Sequence, residues 1–266
     1  MACGTHPKLP LSECRKPEKP TPIKGDPLNS ILKDLCTTDS QARRRRLASH
    51  LSIAFPDRLR IEERTWDAGA DSSETVNHLV TFGREGGHLV IGAHYDAVPE
   101  SPGANDNGAA VIQLLTAAKL LQERVATGEP EPNVTFCFWD HEELFGSPCM
   151  GSKVFLENHR HTLPKKAVVF DVSGRGDFFV SGGDPAGLAP GLPSRPTPPS
   201  DNLILLRHGI PSTLVCALPA GEWSSQSPAT WQTLHTKQDT PDRIETGTLE
   251  RGAQLILDMV GRFRVA

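Results

Sequence analysis

The sequence predicts an α/β protein: a single three-layer domain with a central mixed, mostly parallel twisted sheet flanked by helices. Three observations carry this. Short apolar runs that read as buried strands recur along the chain, among them Leu89–Ala93, Asn133–Asp140 and Ala167–Val172. Stretches with helical spacing lie between them. No internal repeat divides the 266 residues, a length that suits one large α/β domain.

In chain order, residues 1–26 are rich in Pro and Lys and lack apolar periodicity. They predict a flexible, extended N-terminal arm ahead of a folded domain over 27–266. Leu28, Ile31, Leu32, Leu35, Leu47, Leu51 and Ile53 then give a helical pattern from Asp26 to about Ala54. The run Arg43 to Arg46 within it reads as a solvated helix face, with an anionic partner as the alternative. Arg58–Thr65, Asn77–Phe82 and Leu89–Ala93 read as strands, and the Gly and Asp between them suggest hairpin-type connections. Ala109–Ala126 is a strongly apolar helix. After the strand at Asn133–Asp140 come a helix at Gly151–Asn158 and strands at Ala167–Val172 and Asp177–Ser181. Gly182–Pro199 is a long Gly/Pro-rich loop, a kind that often carries function. A short helix at Asn202–His208, a strand after Gly209 and a helix from Thr246 to Phe263 complete the pattern.

Composition narrows the function. A net charge of −4 implies no nucleic-acid partner. No apolar run approaches the ~18 residues of a membrane span. The N-terminus has no apolar stretch of the signal-peptide kind, so the compartment is either the cytoplasm or one reached after removal of a leader. Six cysteines without a CxxC pair argue against zinc held by thiolates. Cys3, Cys14 and Cys36 allow a disulfide or free thiols, and Cys137 reads as a small core residue.

The chemistry concentrates at strand ends. His94 and Asp96 follow the run Leu89–Ala93, and a turn-rich loop delivers Asp106 to the start of the apolar helix. Glu142 and Glu143 follow the strand Asn133–Asp140, Asp171 ends another, and His235 lies in a polar loop. In open α/β sheets ligands bind where strands end. A His with nearby carboxylates is a plausible zinc site. Two metals a few ångströms apart need a bridging carboxylate with His and Asp or Glu on each side. Asp106, with two oxygens, is a natural bridge. An adjacent acidic pair lets one carboxylate bind metal while its neighbour serves as general base. That is machinery for amide hydrolysis.

The segments GAHYDAVPESPGANDNGAA, FWDHEELFGSPCMGSKVF, VVFDVSG, PPSDN with HGIPSTLV, and LHTKQDTPDRI occur in the order found in co-catalytic zinc aminopeptidases of the M28 type, which this chain resembles over about residues 27–266. Bacterial leucyl aminopeptidases belong there, and glutaminyl cyclases are relatives. The resemblance implies a zinc-peptidase catalytic domain over 27–266 that removes N-terminal residues from peptides with a free N-terminus, using two zinc ions. It implies that His94 and Asp171 hold one ion, that Glu143 and His235 hold the other, and that Asp106 bridges them, with a cis peptide after it. Glu142 would be the general base and then the proton donor to the leaving amine. Asp96 would orient His94. Asp201 stands where the family has Ser-Asp-His, here followed by Asn202, and would support the site or the substrate. Tyr95 is the only tyrosine, so no other tyrosine is available to stabilise an oxyanion.

Trp223 and Trp231, close to the expected site, suggest a pocket for an apolar first residue. Two other readings stand beside the aminopeptidase. A glutaminyl cyclase would use the same scaffold for acyl transfer with one zinc, and a degenerate scaffold would only bind peptides or partners. Oligomeric state stays open.

Overall fold

A computed structural model describes residues 27–66 and 73–265. The expected arm at 1–26 lies outside the described residues. The chain forms seven strands, β1 (Leu59–Trp66), β2 (Ser73–Phe82), β3 (Leu89–His94), β4 (Val134–Trp139), β5 (Lys166–Phe170), β6 (Asp177–Val180) and β7 (Ser212–Leu218). Six α-helices accompany them: α1 (Pro27–Leu35), α2 (Ser40–Ala54), α3 (Ala109–Ala126), α4 (Gly151–Asn158), α5 (Asp201–Arg207) and α6 (Thr246–Val265). Among the described residues no helix is long and apolar enough to cross a membrane.

The strands make one sheet in the order β1-β2-β4-β3-β5-β7-β6. The α/β class, the single mixed sheet and the flanking helices are those expected. The balance of directions is not. The β3–β4, β3–β5 and β5–β7 pairs are parallel, while β1–β2, β2–β4 and β6–β7 are antiparallel. The parallel part is the centre of the sheet, and antiparallel strands finish both edges. Of the two expected hairpins, β1–β2 forms, but β4 inserts between β2 and β3. Nearness in sequence hid a crossover.

Side chains alternate across a strand, and the two faces feed two cores. Leu89, Ile91 and Ala93 of β3 pack with α1, α2, α3 and α6, whereas Val90 and the β4 residues Cys137 and Trp139 pack on the side of α4 and α5. Central strands covered on both faces must be apolar throughout, which is why β3, β4 and β7 are buried at every position. Gly92 is required by this packing: a Cβ there would lie 2.2 Å from the buried Trp139 ring.

The single helical pattern at 26–54 is two helices. Asp39 ends the first run and caps α2, its carboxylate accepting the Ala42 N–H at 3.0 Å. The remaining elements fall where the pattern places them, within a few residues.

Candidate metal centre

β3, β4, β5 and β7 are mutually parallel, so their C-terminal ends open on one edge of the sheet. His94 is the last residue of β3. Glu142 and Glu143 follow β4, and Asp171 directly follows β5. After β7 the chain makes an excursion through three short 3₁₀ turns (Ala220–Glu222, Trp231–Thr233 and Pro241–Arg243), and His235 lies on it.

The structure brings all five expected ligand residues together in two groups that share Asp106: His94, Asp106 and Asp171, and Asp106, Glu143 and His235. In each group the donor atoms lie within 4.8 Å of one another. Asp106 divides its carboxylate between them. Oδ1 lies 3.2 Å from His94 Nε2, and Oδ2 lies 3.0 Å from His235 Nε2. Asp171 Oδ1 is 3.5 Å from His94 Nε2, and Glu143 Oε2 is 3.2 Å from His235 Nε2. Glu142 points to the same place, with Oε2 4.0 Å from His94 Nε2.

Asp96 stands behind His94, with Oδ1 3.2 Å from Nδ1. Its two oxygens also accept the main-chain N–H groups of Glu142 at 3.0 Å and Glu143 at 3.1 Å. One carboxylate therefore ties the β3 end to the acidic pair after β4. Burial alone would raise this carboxyl; His94 and the two N–H groups overcome it and hold it below its ordinary value.

The turn that presents Asp106 is fastened on several sides. The Asp106–Asn107 peptide is cis. Asp239 accepts the N–H groups of Asn105 at 2.8 Å and of Asp106 at 3.0 Å. Asn105 accepts the Gly174 N–H at 2.8 Å, and the Asn107 amide donates to the Phe170 carbonyl at 2.9 Å. Gly103 opens the turn at φ 58°, where a Cβ would stand 2.6 Å from the Asp106 carbonyl oxygen.

Two groups here were not singled out by the sequence reading. Asp239 is one; its signal was its place four residues after His235. Arg43 is the other. The four-arginine run is not a uniformly solvated face. Arg43 is buried, and its guanidinium donates to the carbonyls of Thr37, Tyr95, Pro102 and Gly103. Arg44 pairs with Asp140 at 2.6 Å and with Glu74 at 3.2 Å. Of the four only Arg45 is exposed, and Arg46 pairs with Asp34.

The density of carboxylates shows in their protonation. Burial pushes Glu142 far up and Glu143 up to about 7, with neighbouring carboxylates adding to the effect. Asp106 and then burial, which opposes, set His235, which ends at about 9. Burial would raise Asp106 too, but His235 and His94 hold it well below the carboxylate range. Burial and neighbouring carboxylates thus raise the two glutamates, while the two histidines lower Asp106.

A cavity of about 400 Å³ opens beside the two groups. Glu142, Glu143, Asp171 and His235 line its charged end, and Phe145, Pro198, Leu214 and Trp231 are among its apolar walls. Trp231 thus lies where the sequence suggested. Trp223 does not line this cavity. It packs edge-on against Phe179 at 5.4 Å and donates to the Leu218 carbonyl. Asp201, first residue of α5, is wholly buried and also outside the cavity lining. Burial raises its carboxyl to about 7, and His94 opposes the shift. The only tyrosine, Tyr95, donates its hydroxyl to the Val76 carbonyl at 2.7 Å.

Residues 77–178 match the model of peptidase family M28. This is the resemblance that the motifs carry. Leucine aminopeptidase 1 of Neurospora crassa is 27% identical over 176 residues, 54% of this chain and 43% of its own length. The chain thus spans less than half the length of the curated relatives it matches. Among solved structures, a Zn-dependent exopeptidase from Parabacteroides distasonis superposes with a TM-score of 0.70 at 18% identity, covering 90% of this chain and 98% of that one. A glutaminyl cyclase from an Acidobacteriales bacterium gives 0.70 at 16% identity, covering 95% and 99%. At such identities the likeness is one of fold.

Proposed function

We propose that this chain, whose residues 77–178 match peptidase family M28, is a zinc aminopeptidase that removes the first residue of peptides by hydrolysis. One observation carries the reading: two donor groups share the Asp106 carboxylate, and His94 Nε2, Glu143 Oε1 and Asp171 Oδ1 are buried there without a hydrogen-bond partner. Buried polar atoms normally find partners. Imidazole nitrogen with carboxylate oxygen is a donor set that suits zinc. His94 and Asp171 would hold one ion, Glu143 and His235 a second, and Asp106 both.

When bound, such ions bring the pKa of water toward neutrality and polarise a carbonyl. The remaining work belongs to side chains. Glu142 takes the proton of the attacking water as oxygen adds to the scissile carbonyl carbon. It returns that proton to the nitrogen as the C–N bond breaks, so the amine leaves neutral. Asp96 fixes the ring of His94 through Nδ1, leaving Nε2 free for the centre. The apolar walls of the cavity favour an apolar first side chain.

Aminoacyl-nitroanilides offered to a metal-quantified sample test the reading. Free-amine substrates should be cleaved and their N-acetyl counterparts left intact; equal cleavage of both would overturn it. The cyclase alternative is separated by a peptide beginning with glutamine. Hydrolysis liberates glutamine, whereas cyclisation liberates ammonia. Two complete donor groups support the hydrolase, since a single-metal cyclase would need one.

A further inference from the structure

The loop 182–199 and the excursion after β7 both contribute walls to the cavity, and one side chain joins them. Loop 182–199 is fastened to the β6 edge, where Val180 N–H donates to Pro193 O at 2.9 Å and Arg195 N–H donates to Val180 O at 3.0 Å. From that anchor the Arg195 guanidinium crosses to the excursion. It donates to the main-chain oxygens of Glu222, Trp223 and Ser225. Its central carbon also lies 4.9 Å from the Trp231 ring centroid. Among the described residues Arg195 makes no ion pair. The excursion is closed from within as well: the Glu222 carboxylate accepts the Thr230 N–H at 2.7 Å and the Thr230 hydroxyl at 3.1 Å.

We propose that Arg195 is a positioning residue that sets the width of this cavity, and through Trp231 makes the site selective for peptides whose first side chain is large and apolar. The inference rests on the hydrolase reading. Thr197, Pro198 and Pro199 of the loop and Trp231 and Leu234 of the excursion all line the cavity. Arg195 therefore ties together the two segments that supply these walls. A planar fork with several donors suits three carbonyls and a ring at once, and an ammonium group does not. A cation over an aromatic ring is held by the ring's electron-rich face. Trp231 also begins the 3₁₀ turn that leads to His235, with its carbonyl accepting the Leu234 N–H at 3.2 Å. The same clamp therefore steadies the wall and the loop that carries a proposed ligand.

The test uses the zinc-loaded full chain and its Arg195→Lys, Arg195→Met and Trp231→Ala variants on leucyl- and alanyl-p-nitroanilide. In both Arg195 variants and in Trp231→Ala, the leucyl-over-alanyl ratio of kcat/KM should fall about tenfold, the size a hydrophobic pocket contact supplies. The loss should sit in KM, and lysine should not rescue it. Acrylamide quenching of Trp231 emission, taken as the difference from Trp231→Phe, should rise in Arg195→Met with or without zinc. An unchanged ratio overturns the selectivity proposal, and so does an equal loss on both substrates with reduced zinc content. Unchanged quenching overturns the clamp. If the parent chain cleaves neither substrate, the hydrolase reading and the selectivity fail together, and quenching still judges the clamp.

Discussion

The Asp96 carboxylate lies 3.2 Å from His94 Nδ1 and leaves that ring's other nitrogen facing Asp106 and Asp171. The same carboxylate holds the N–H groups of Glu142 and Glu143. Asp96→Asn keeps the shape but puts an amide donor where an acceptor is needed. Metal affinity or turnover should fall about 10- to 100-fold, as for other groups that orient a ligand histidine. Chelator competition measures the first and steady-state kinetics the second; full retention of both would sink the assignment.

Glu142→Gln separates chemistry from metal binding. The amide cannot take a proton, while the donor atoms of His94, Asp106, Asp171, Glu143 and His235 are untouched. Turnover should fall about 10²- to 10⁴-fold, with metal content by elemental analysis unaltered.

Metal binding should release protons. Without ions His235 sits at about 9 and Glu143 at about 7, and a ligand must be deprotonated to bind. Affinity should therefore weaken as pH falls through this range, by about tenfold per pH unit for each proton displaced. Calorimetry in two buffers of different ionisation enthalpy at pH 7.5 counts those protons, and a count of zero contradicts the prediction.

Acid should destabilise the fold through His78. Its ring is buried in β2, neither nitrogen has a hydrogen-bond partner, and burial, with Arg44 nearby, lowers it from 6.5 to about 4. Between those values the unfolded chain binds the proton and the folded chain does not. The stabilisation is complete above pH 6.5 and is lost as pH falls toward 4, reaching up to about 3 kcal/mol. His78→Phe should flatten the pH dependence of the denaturant midpoint over this window.

Gly92→Ala puts a methyl group into the Trp139 ring at 2.2 Å. Neither β3 nor that buried ring has room to yield, so stability should drop by about 1–3 kcal/mol and the melting temperature by about 3–10 °C. A thermal melt by circular dichroism reads it.

Much of this site was legible because its residues announce where strands stop. His94, Glu142–Glu143 and Asp171 each break an apolar run, and such a break marks the end of a buried strand. The direction of β2 and the insertion of β4 beside it were not legible, because pairing between distant strands leaves no local pattern. Arg43 was misread for a related reason. Its guanidinium is satisfied by four main-chain carbonyls, and carbonyls carry no signal in a sequence. Trp223 and Trp231 look alike on paper, yet Trp223 covers Phe179 while Trp231 faces the cavity. They lie eight positions apart on an irregular excursion, and no periodicity assigns their faces.

The bonds from Asn105 and Asp106 to Asp239 span 134 and 133 residues. During synthesis the turn leaves the ribosome first and its acceptor more than a hundred residues later. Until Asp239 emerges, the turn bearing Asp106 can meet Phe170 and Gly174 but lacks the carboxylate that accepts its own N–H groups. Whatever chemistry the centre performs is thus withheld from any growing chain that has not yet reached Asp239.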